Sequence, residues 1–390
     1  MFCCLAVALH RDQGQGMSIC RNMRRISANI GLVCLATVGC LFVLELVIRA
    51  WHVVPVNDYR PIFNRSASYQ MQPHSSMVEV QPEFATTIAI NGAGFRDKEF
   101  SMAKRRGWTR IALIGDSFTF GTGVSQTERA SDYLERILLE DGLNCEVYNF
   151  GIPDTETLVH VAVLRDTILA YEPDYVLLML YIGNDVVDNM KVAGGRGKAY
   201  GPPGSVGYAL IDQIRMRSQL YQFVLMRMAA IPPLQQWYNE IKTTRRWGEV
   251  GEQMEIFSRS SEHDEGLWEG TFDALRQFVS VAEAHNVHSV VVLVPARLQY
   301  DTKLWEKLLR AQNLDGKAFR LTQPNDVLSK FVSETLHAEV LDPLAEFQEA
   351  QSQGAEVYYP INGHLTSGGH QILARHIAKY FQGRLARSLE

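Results

Sequence analysis

The sequence predicts an α/β protein whose parallel sheet is covered by helices on both faces. Two observations predict this fold: short, uninterrupted apolar runs rich in β-branched residues, and longer segments of helical periodicity between them. A strand that is buried on both faces is apolar throughout, whereas a strand of a half-solvated sheet alternates with polar residues. The chain has 390 residues, of which 46% are hydrophobic and 21% charged, and this composition is typical of a globular protein.

Strands and helices alternate from residue 109 to the C-terminal region. The predicted strands are TRIALIG (109–115), CEVYNF (145–150), DYVLLMLYI (174–182), SVVVLVP (289–295) and AEVLD (338–342). The predicted helices cover residues 126–141, 155–171, 267–286 and 367–382. Because ligands of parallel sheets bind at the carboxyl ends of the strands, we expect the functional site in the loops that follow them.

A membrane-spanning helix precedes this region. The stretch from Ile30 to Ile48 contains one charge, Glu45, and about 20 apolar residues suffice to cross a bilayer as a helix. Basic residues come before it: Arg11, Arg21, Arg24 and Arg25. By the positive-inside rule we expect a single-pass protein of the cell (inner) membrane, with its globular domain in the periplasm. The alternatives are a core helix and a cleaved signal peptide, although a signal peptide has a shorter apolar stretch and a small-residue cleavage site.

The predicted organisation has four parts. They are a basic cytoplasmic N-terminus (1–29), a transmembrane anchor (30–50), a juxtamembrane leader with little regular structure (51–108) and the α/β domain (109–386). An insertion at residues 186–266 interrupts the domain with a glycine-rich loop and an amphipathic helical segment. We interpret it as a surface addition whose apolar face packs on the main core, and the alternatives are a cap over the site or a surface resting on the bilayer.

Charge and cysteine usage argue against several classes of protein. A net charge of -5 gives no general electrostatic reason to bind nucleic acid. Cys145 is the only cysteine beyond the first forty residues, so no disulfide is expected within the globular region. The sequence has no CxxC pattern or Cys/His cluster that indicates a metal site.

Four blocks of glycine and polar residues lie at loops where chemistry is expected. The blocks are Gly115-Asp116-Ser117-Phe118, Asn149-Phe150-Gly151, Gly183-Asn184-Asp185 and Asn362-Gly363-His364. Together they offer a hydroxyl, a backbone N–H, a side-chain amide and an imidazole at one edge of the sheet. These groups can attack an ester and hold the resulting oxyanion.

With these blocks in this order, residues 109–385 resemble the SGNH (GDSL-type) hydrolase superfamily. The membrane helix, the run NGAGFR (91–96) and RIALIGDSFTFGTGV are similar to membrane-anchored bacterial members. The resemblance implies a flavodoxin-like three-layer α/β/α sandwich with a five-stranded parallel sheet. It also implies ester or acyl chemistry without a metal or an organic cofactor.

The resemblance also assigns roles to individual residues. It implies that Ser117 is the nucleophile and His364 the general base. The oxyanion hole would comprise the backbone N–H groups of Ser117 and Gly151 and the side-chain amide of Asn184.

One position departs from the family pattern. The family usually has an aspartate two or three residues before the histidine, where this chain has Asn362. An asparagine accepts a hydrogen bond from the imidazole but supplies no charge to stabilise an imidazolium. Asp342 or Glu356 would substitute only if the fold brings one of them to the histidine.

The same blocks have simpler structural interpretations. Asn184 could cap the next helix, Gly151 could be needed only for its backbone geometry, and Asp116 could stabilise a loop. His370 and His376 are interpreted as packing or surface residues near the last helix.

The sequence therefore predicts a membrane-anchored serine esterase or acyltransferase. Its expected substrates are O-acyl esters, with acetyl as the expected acyl group, of extracytoplasmic polysaccharides or lipids. The alternative is a non-catalytic glycan-binding or assembly protein that retains the cleft.

Overall fold

The computed structural model describes residues 3–52, 69–195, 218–234 and 253–385. Its strands are β1 (Ser76–Gln81), β2 (Phe84–Ala89), β3 (Thr109–Gly115), β4 (Cys145–Gly151), β5 (Tyr175–Tyr181), β6 (His288–Val294) and β7 (Glu339–Leu341). Its α-helices are α1 (Cys3–Ala50), α2 (Ser117–Phe120), α3 (Ala130–Glu140), α4 (Thr157–Asp166), α5 (Asp185–Ala193), α6 (Gln219–Ala229), α7 (Glu265–Ala284), α8 (Thr302–Gln312), α9 (Gln323–Lys330), α10 (Leu344–Ser352) and α11 (Ser367–Leu385).

The central sheet has five parallel strands in the order β4-β3-β5-β6-β7. This is the flavodoxin-like order, in which the first strand of the sheet lies between the second and the third. The predicted fold class is therefore confirmed. Each of the five predicted strands lies within two residues of the observed one at either end.

The core consists of two layers, one on each face of the sheet. Along β3, Ala112 and Ile114 belong to one buried cluster, while Ile111 and Leu113 belong to the other. Successive side chains of a strand point to opposite faces, so this alternation shows that both faces are covered. Helices α4, α5 and α7 contribute to the first cluster, and α3 and α11 contribute to the second.

The segment before the sheet is more ordered than predicted. In residues 69–108, β1 and β2 form an antiparallel hairpin, and Phe95 is fully buried in the first core cluster. The prediction of little regular structure is wrong for this part of the leader. The two strands are short and include polar or exposed positions, so neither gives a continuous apolar run. Residues 53–68 lie outside the described part.

Helix α1 contains the predicted membrane segment. Residues Ala28–Ala50 are long and apolar enough to cross a membrane, and the window that meets this criterion is not buried in the protein. Apolar side chains such as Leu35 (74% exposed) therefore do not belong to a protein core. An anchor and a signal sequence both fit this helix.

The helix of the insertion packs against the end of α1. Leu220 and Phe223 of α6 contact a small buried cluster formed by Ile48 and Val80. The Glu45 carboxylate accepts the backbone N–H of Leu220 at 2.8 Å, near the start of α6. This helix thus packs against α1, whereas Met254, Ile256 and Phe257 of the same insertion belong to the first core cluster. Residues 196–217 and 235–252 of the insertion lie outside the described ranges.

Candidate active site

Ser117 follows the carboxyl end of strand β3 and is the first residue of the short helix α2. The carboxylate of Asp116 accepts the backbone N–H of Phe118 at 2.9 Å and so caps this helix. Gly115 is required here, because a Cβ at this position would lie 2.2 Å from Thr119 Oγ1. The turn from β3 into α2 thus presents Ser117 at the rim of the sheet, and Asp116 stabilises the turn.

The turn that follows α2 is held by Arg96 of the NGAGFR run. The buried Arg96 guanidinium donates to the carbonyl oxygens of Phe120 (3.2 Å), Gly121 (2.6 Å) and Val124 (2.7 Å). A helix leaves its last carbonyl groups without intrahelical donors, and Arg96 satisfies them here. The leader therefore stabilises the turn at the end of the helix that begins with Ser117.

His364 is in contact with both of its predicted partners. Its Nε2 lies 2.8 Å from Ser117 Oγ, and its Nδ1 lies 2.5 Å from Asn362 Oδ1. An amide oxygen can only accept, so the Nδ1 atom carries the proton and Nε2 is left to accept from the serine hydroxyl. The ring of Phe118 packs beside the imidazole, with 4.9 Å between the ring centroids. The arrangement can transfer the hydroxyl proton of Ser117 to His364.

Neither alternative carboxylate reaches the histidine. Asp342 accepts hydrogen bonds from Asn325 at 2.8 Å and from the backbone N–H of Leu344 at 3.0 Å. Glu356 is exposed, and its backbone carbonyl accepts from Thr366 at 2.5 Å. Among these candidates, only the neutral Asn362 orients the imidazole.

Asn184 lines the same cavity as Ser117 and His364. It occupies the position before helix α5, yet within the described chain its side chain makes no capping hydrogen bond. Its Nδ2 is 3.4 Å from Asp188 Oδ2, which is long for an N–H···O bond. The side-chain amide is therefore only weakly held and can donate to a ligand in the cavity, as can the N–H of Ser117, which lies in the first turn of α2.

Gly151 is placed differently from the prediction. Its backbone N–H donates to Asn149 Oδ1 at 2.9 Å, and it is not among the described residues that line the cavity. A Cβ at this position would lie 2.2 Å from the backbone nitrogen of Phe120, so a glycine is needed where α2 crosses the end of β4. In this structure the Gly151 N–H is bound by Asn149, and a role of Gly151 as an oxyanion donor stays a prediction. Asp154, which the sequence analysis did not select, lines the cavity with a left-handed backbone at φ 60°.

The cavity next to Ser117 has a volume of about 330 Å³. One side carries the polar groups of Ser117, Asn184 and His364. The lining also includes the apolar residues Leu298, Leu304, Leu308 and Ile361 and the charged Arg297. A site with apolar residues beside a hydroxyl and two N–H donors suits a neutral acyl group.

Three contacts that the sequence does not indicate fix the loop of the histidine. Arg297 donates to the carbonyl oxygen of Pro360 at 2.7 Å. The carboxylate of Glu83 accepts the backbone N–H groups of Ile361 (2.8 Å) and Asn362 (2.6 Å). Glu83 lies in the leader, far away in the chain, so no local pattern links it to the site.

The other histidines of the last helix have structural surroundings. His370 is fully buried, and its Nδ1 accepts the backbone N–H of Ala130 at 3.3 Å. Burial lowers the pKa of His370 to about 3, so the ring is neutral near pH 7. His376 pairs with Glu346 at 2.7 Å. Within the described ranges, no three His, Cys, Asp or Glu side chains form a group that could hold a metal ion.

No family model and no curated protein matches the chain. Similar solved structures include an acetylxylan esterase from Geobacillus stearothermophilus, which is 15% identical over 70% of this chain and 93% of that chain (TM-score 0.38). A protein from Desulfitobacterium hafniense described as lipolytic and of the G-D-S-L family is 13% identical over 70% and 98% (TM-score 0.37). A second acetyl xylan esterase is 12% identical over 70% and 99% (TM-score 0.40).

The fold that the resemblance to SGNH hydrolases implied is the fold of this chain, and the similar solved structures include esterases. Their identities and TM-scores are too low to indicate an activity or a substrate. The functional interpretation therefore rests on the geometry around Ser117.

Proposed function

We propose that the protein is a serine ester hydrolase or acyltransferase that works through an acyl-Ser117 intermediate. The observation that carries this proposal is the chain of hydrogen bonds from Ser117 Oγ to His364 (2.8 Å) and from His364 to Asn362 (2.5 Å). A serine hydroxyl is a weak nucleophile by itself, and an oriented imidazole base is what activates it.

In the proposed reaction, Ser117 Oγ attacks the ester carbonyl carbon while its proton passes to Nε2 of His364. The negative charge on the carbonyl oxygen is stabilised by the Ser117 N–H and the side-chain amide of Asn184. The intermediate collapses, the alcohol leaves, and His364 returns the proton to the alcohol oxygen. Water or a second hydroxyl then attacks the acyl carbonyl with His364 again as the base, which gives hydrolysis or transfer.

The proposed substrates are O-acyl esters of glycans or lipids outside the cytoplasm, with acetyl as the acyl group. The apolar residues that line the cavity support an acyl group, and the volume of about 330 Å³ leaves room for part of the alcohol as well. The apolar helix at Ala28–Ala50, preceded by basic residues, supports an inner-membrane anchor with the α/β domain in the periplasm. A reporter fused after Glu390 tests this topology, because activity of a cytoplasm-restricted reporter there would contradict it.

The decisive experiment is labelling with a serine-directed fluorophosphonate together with hydrolysis of an activated acetyl ester. We expect labelling at Ser117, identified by peptide mapping, and no labelling in a Ser117→Ala variant. A folded wild-type protein that is neither labelled nor active would overturn the proposal.

One observation favours a second candidate, a non-catalytic glycan-binding or assembly protein. The neutral Asn362 provides no charge to stabilise the imidazolium that forms during catalysis. On this alternative the folded protein binds an acylated oligosaccharide, measured by calorimetry, but does not react with the fluorophosphonate. The labelling experiment therefore separates the two functions.

A further inference from the structure

Glu83 connects the leader hairpin to the loop that carries His364. It lies in the turn between β1 and β2, where it is half-buried. Its Oε1 accepts the backbone N–H of Ile361 at 2.8 Å, and its Oε2 accepts the backbone N–H of Asn362 at 2.6 Å. Both carboxylate oxygens therefore bind successive peptide groups of the same loop, and hydrogen bonds to a charged acceptor are stronger than neutral ones.

Asn362 is the link between this carboxylate and the imidazole. Its backbone N–H donates to Glu83, while its side-chain oxygen is 2.5 Å from Nδ1 of His364. The chain of contacts runs from Glu83 through Asn362 and His364 to Ser117. A negative charge at one end of such a chain, in partly buried surroundings, polarises the groups along it.

The hairpin that carries Glu83 is also fixed to the nucleophile's side of the site. Thr86 of β2 donates to the carbonyl oxygen of Val124 at 3.0 Å. The ring of Phe84 packs on Tyr359 with 5.1 Å between centroids, and the Tyr359 hydroxyl donates to the carbonyl oxygen of Gly123 at 3.0 Å. The position of Glu83 is thus set relative to both the serine turn and the histidine loop.

We propose that Glu83 is a positioning residue that holds Asn362 against His364 and supplies the negative charge that an asparagine lacks. The inference rests on the proposed esterase function. Glu83 fixes the backbone at Asn362 so that its amide oxygen faces the imidazole. Its charge stabilises the imidazolium that forms when Ser117 attacks, in the way that a carboxylate in direct contact would.

The test uses the full-length protein in detergent and a Glu83→Gln variant. Glutamine is isosteric, but it has one acceptor oxygen in place of two and no charge. Glu99→Gln is the matched control, because Glu99 lies in the same leader and also accepts a backbone N–H, that of Gly92, with both oxygens at 3.0 Å. For each protein the kcat and KM for 4-nitrophenyl acetate, the rate of fluorophosphonate labelling and the Tm are measured.

We expect Glu83→Gln to lower kcat and the labelling rate by about 10-fold to 100-fold, with KM unchanged within about twofold, because it weakens base catalysis rather than binding. Glu99→Gln should match the wild type. Adding Asn362→Asp to Glu83→Gln should restore at least about 10-fold of the lost rate, since it returns a carboxylate to the imidazole.

The results separate the inference from the proposed function. A wild-type protein that is not labelled at Ser117 overturns the function itself. If the wild type is labelled and Glu83→Gln reacts equally fast, the inference is wrong. It is also wrong if Glu83→Gln loses activity only in proportion to a lost folded fraction, because Glu83 would then act on folding. If Asn362→Asp restores none of the rate, Glu83 does not supply the missing charge, and the inference is wrong as well.

Discussion

Nε2 of His364 lies 2.8 Å from Oγ of Ser117, although 247 positions separate the two residues in the chain. The topology of the sheet accounts for this contact. β3 is followed by β4 on one side and by β5 on the other, and a crevice forms at the carboxyl ends where the strand order reverses. The histidine loop comes directly before helix α11, and this helix is fixed beside α3. Ser367, its first residue, forms a hydrogen bond of 2.7 Å with the Tyr133 hydroxyl of α3.

The first prediction concerns the nucleophile. Ser117→Ala should reduce ester hydrolysis and fluorophosphonate labelling to background, because the Oγ atom forms the covalent bond. The Tm should change little, since this hydroxyl contributes one hydrogen bond at the cavity and no core packing. Purified variant and wild type are compared on one acetyl ester, and undiminished hydrolysis by a clean Ser117→Ala preparation would exclude the mechanism.

The second prediction concerns Asn362. Asn362→Ala removes the acceptor of the His364 Nδ1–H, and the freed ring should lower kcat by about 10-fold. Asn362→Asp keeps the shape, adds a charge and should raise kcat by up to about 10-fold. The gain stays far below the effect in the serine-protease template because the Glu83 carboxylate already binds the backbone N–H of Asn362 and, by our inference, supplies a charge. Stopped-flow rates of both variants on one acetyl ester test this, and equal kcat in all three proteins would remove Asn362 from the site.

The strands of the sheet were predictable because their signal is local. The run predicted at residues 109–115 is the observed strand β3, since burial on both faces demands an apolar side chain at nearly every position. The hairpin gave no comparable signal, because its strands contain exposed positions and polar residues. The Glu83 contact to Asn362 spans 279 positions and depends on the tertiary fold alone.

The site was predictable in its residue types but not in all of its contacts. Ser117, Asn184 and His364 come together at one cavity, as the order of the blocks predicted. The glycine at position 151 fits two explanations, a backbone N–H that binds the oxyanion or the close approach of another chain segment. The sequence does not distinguish between them. The close contact with Phe120 supports the second explanation and leaves the first a prediction, because this contact depends on how α2 crosses β4.

The third prediction tests that explanation of Gly151. Gly151→Ala places a Cβ 2.2 Å from the backbone nitrogen of Phe120, so α2 must shift or the fold must loosen. We expect a loss of about 1–3 kcal/mol in the free energy of unfolding and slower labelling of Ser117, since the nucleophile lies on the same helix. Gly368→Ala is the control, because its Cβ would meet its nearest neighbours at 3.6 Å. Unfolding curves in urea that coincide for both variants and the wild type would contradict this explanation.

The last prediction concerns the pH dependence of stability. His160 and His370 are fully buried, and burial lowers the pKa of each ring to about 3, against about 6.5 in an unfolded chain. Between these values the unfolded chain binds a proton that the folded protein does not, so stability falls as the pH falls below 6.5. Each histidine should lower the free energy of unfolding by about 1.4 kcal/mol per pH unit, or by about 2 kcal/mol at pH 5.

The variant His370→Gln keeps an acceptor for the Ala130 N–H but removes the titrating ring, so its urea midpoint should change less between pH 7 and pH 5 than that of the wild type. His288→Gln, at an exposed position, is the control and should show the wild-type pH dependence. A His370→Gln midpoint that falls as steeply as the wild type would show that the buried ring is not a source of the acid sensitivity.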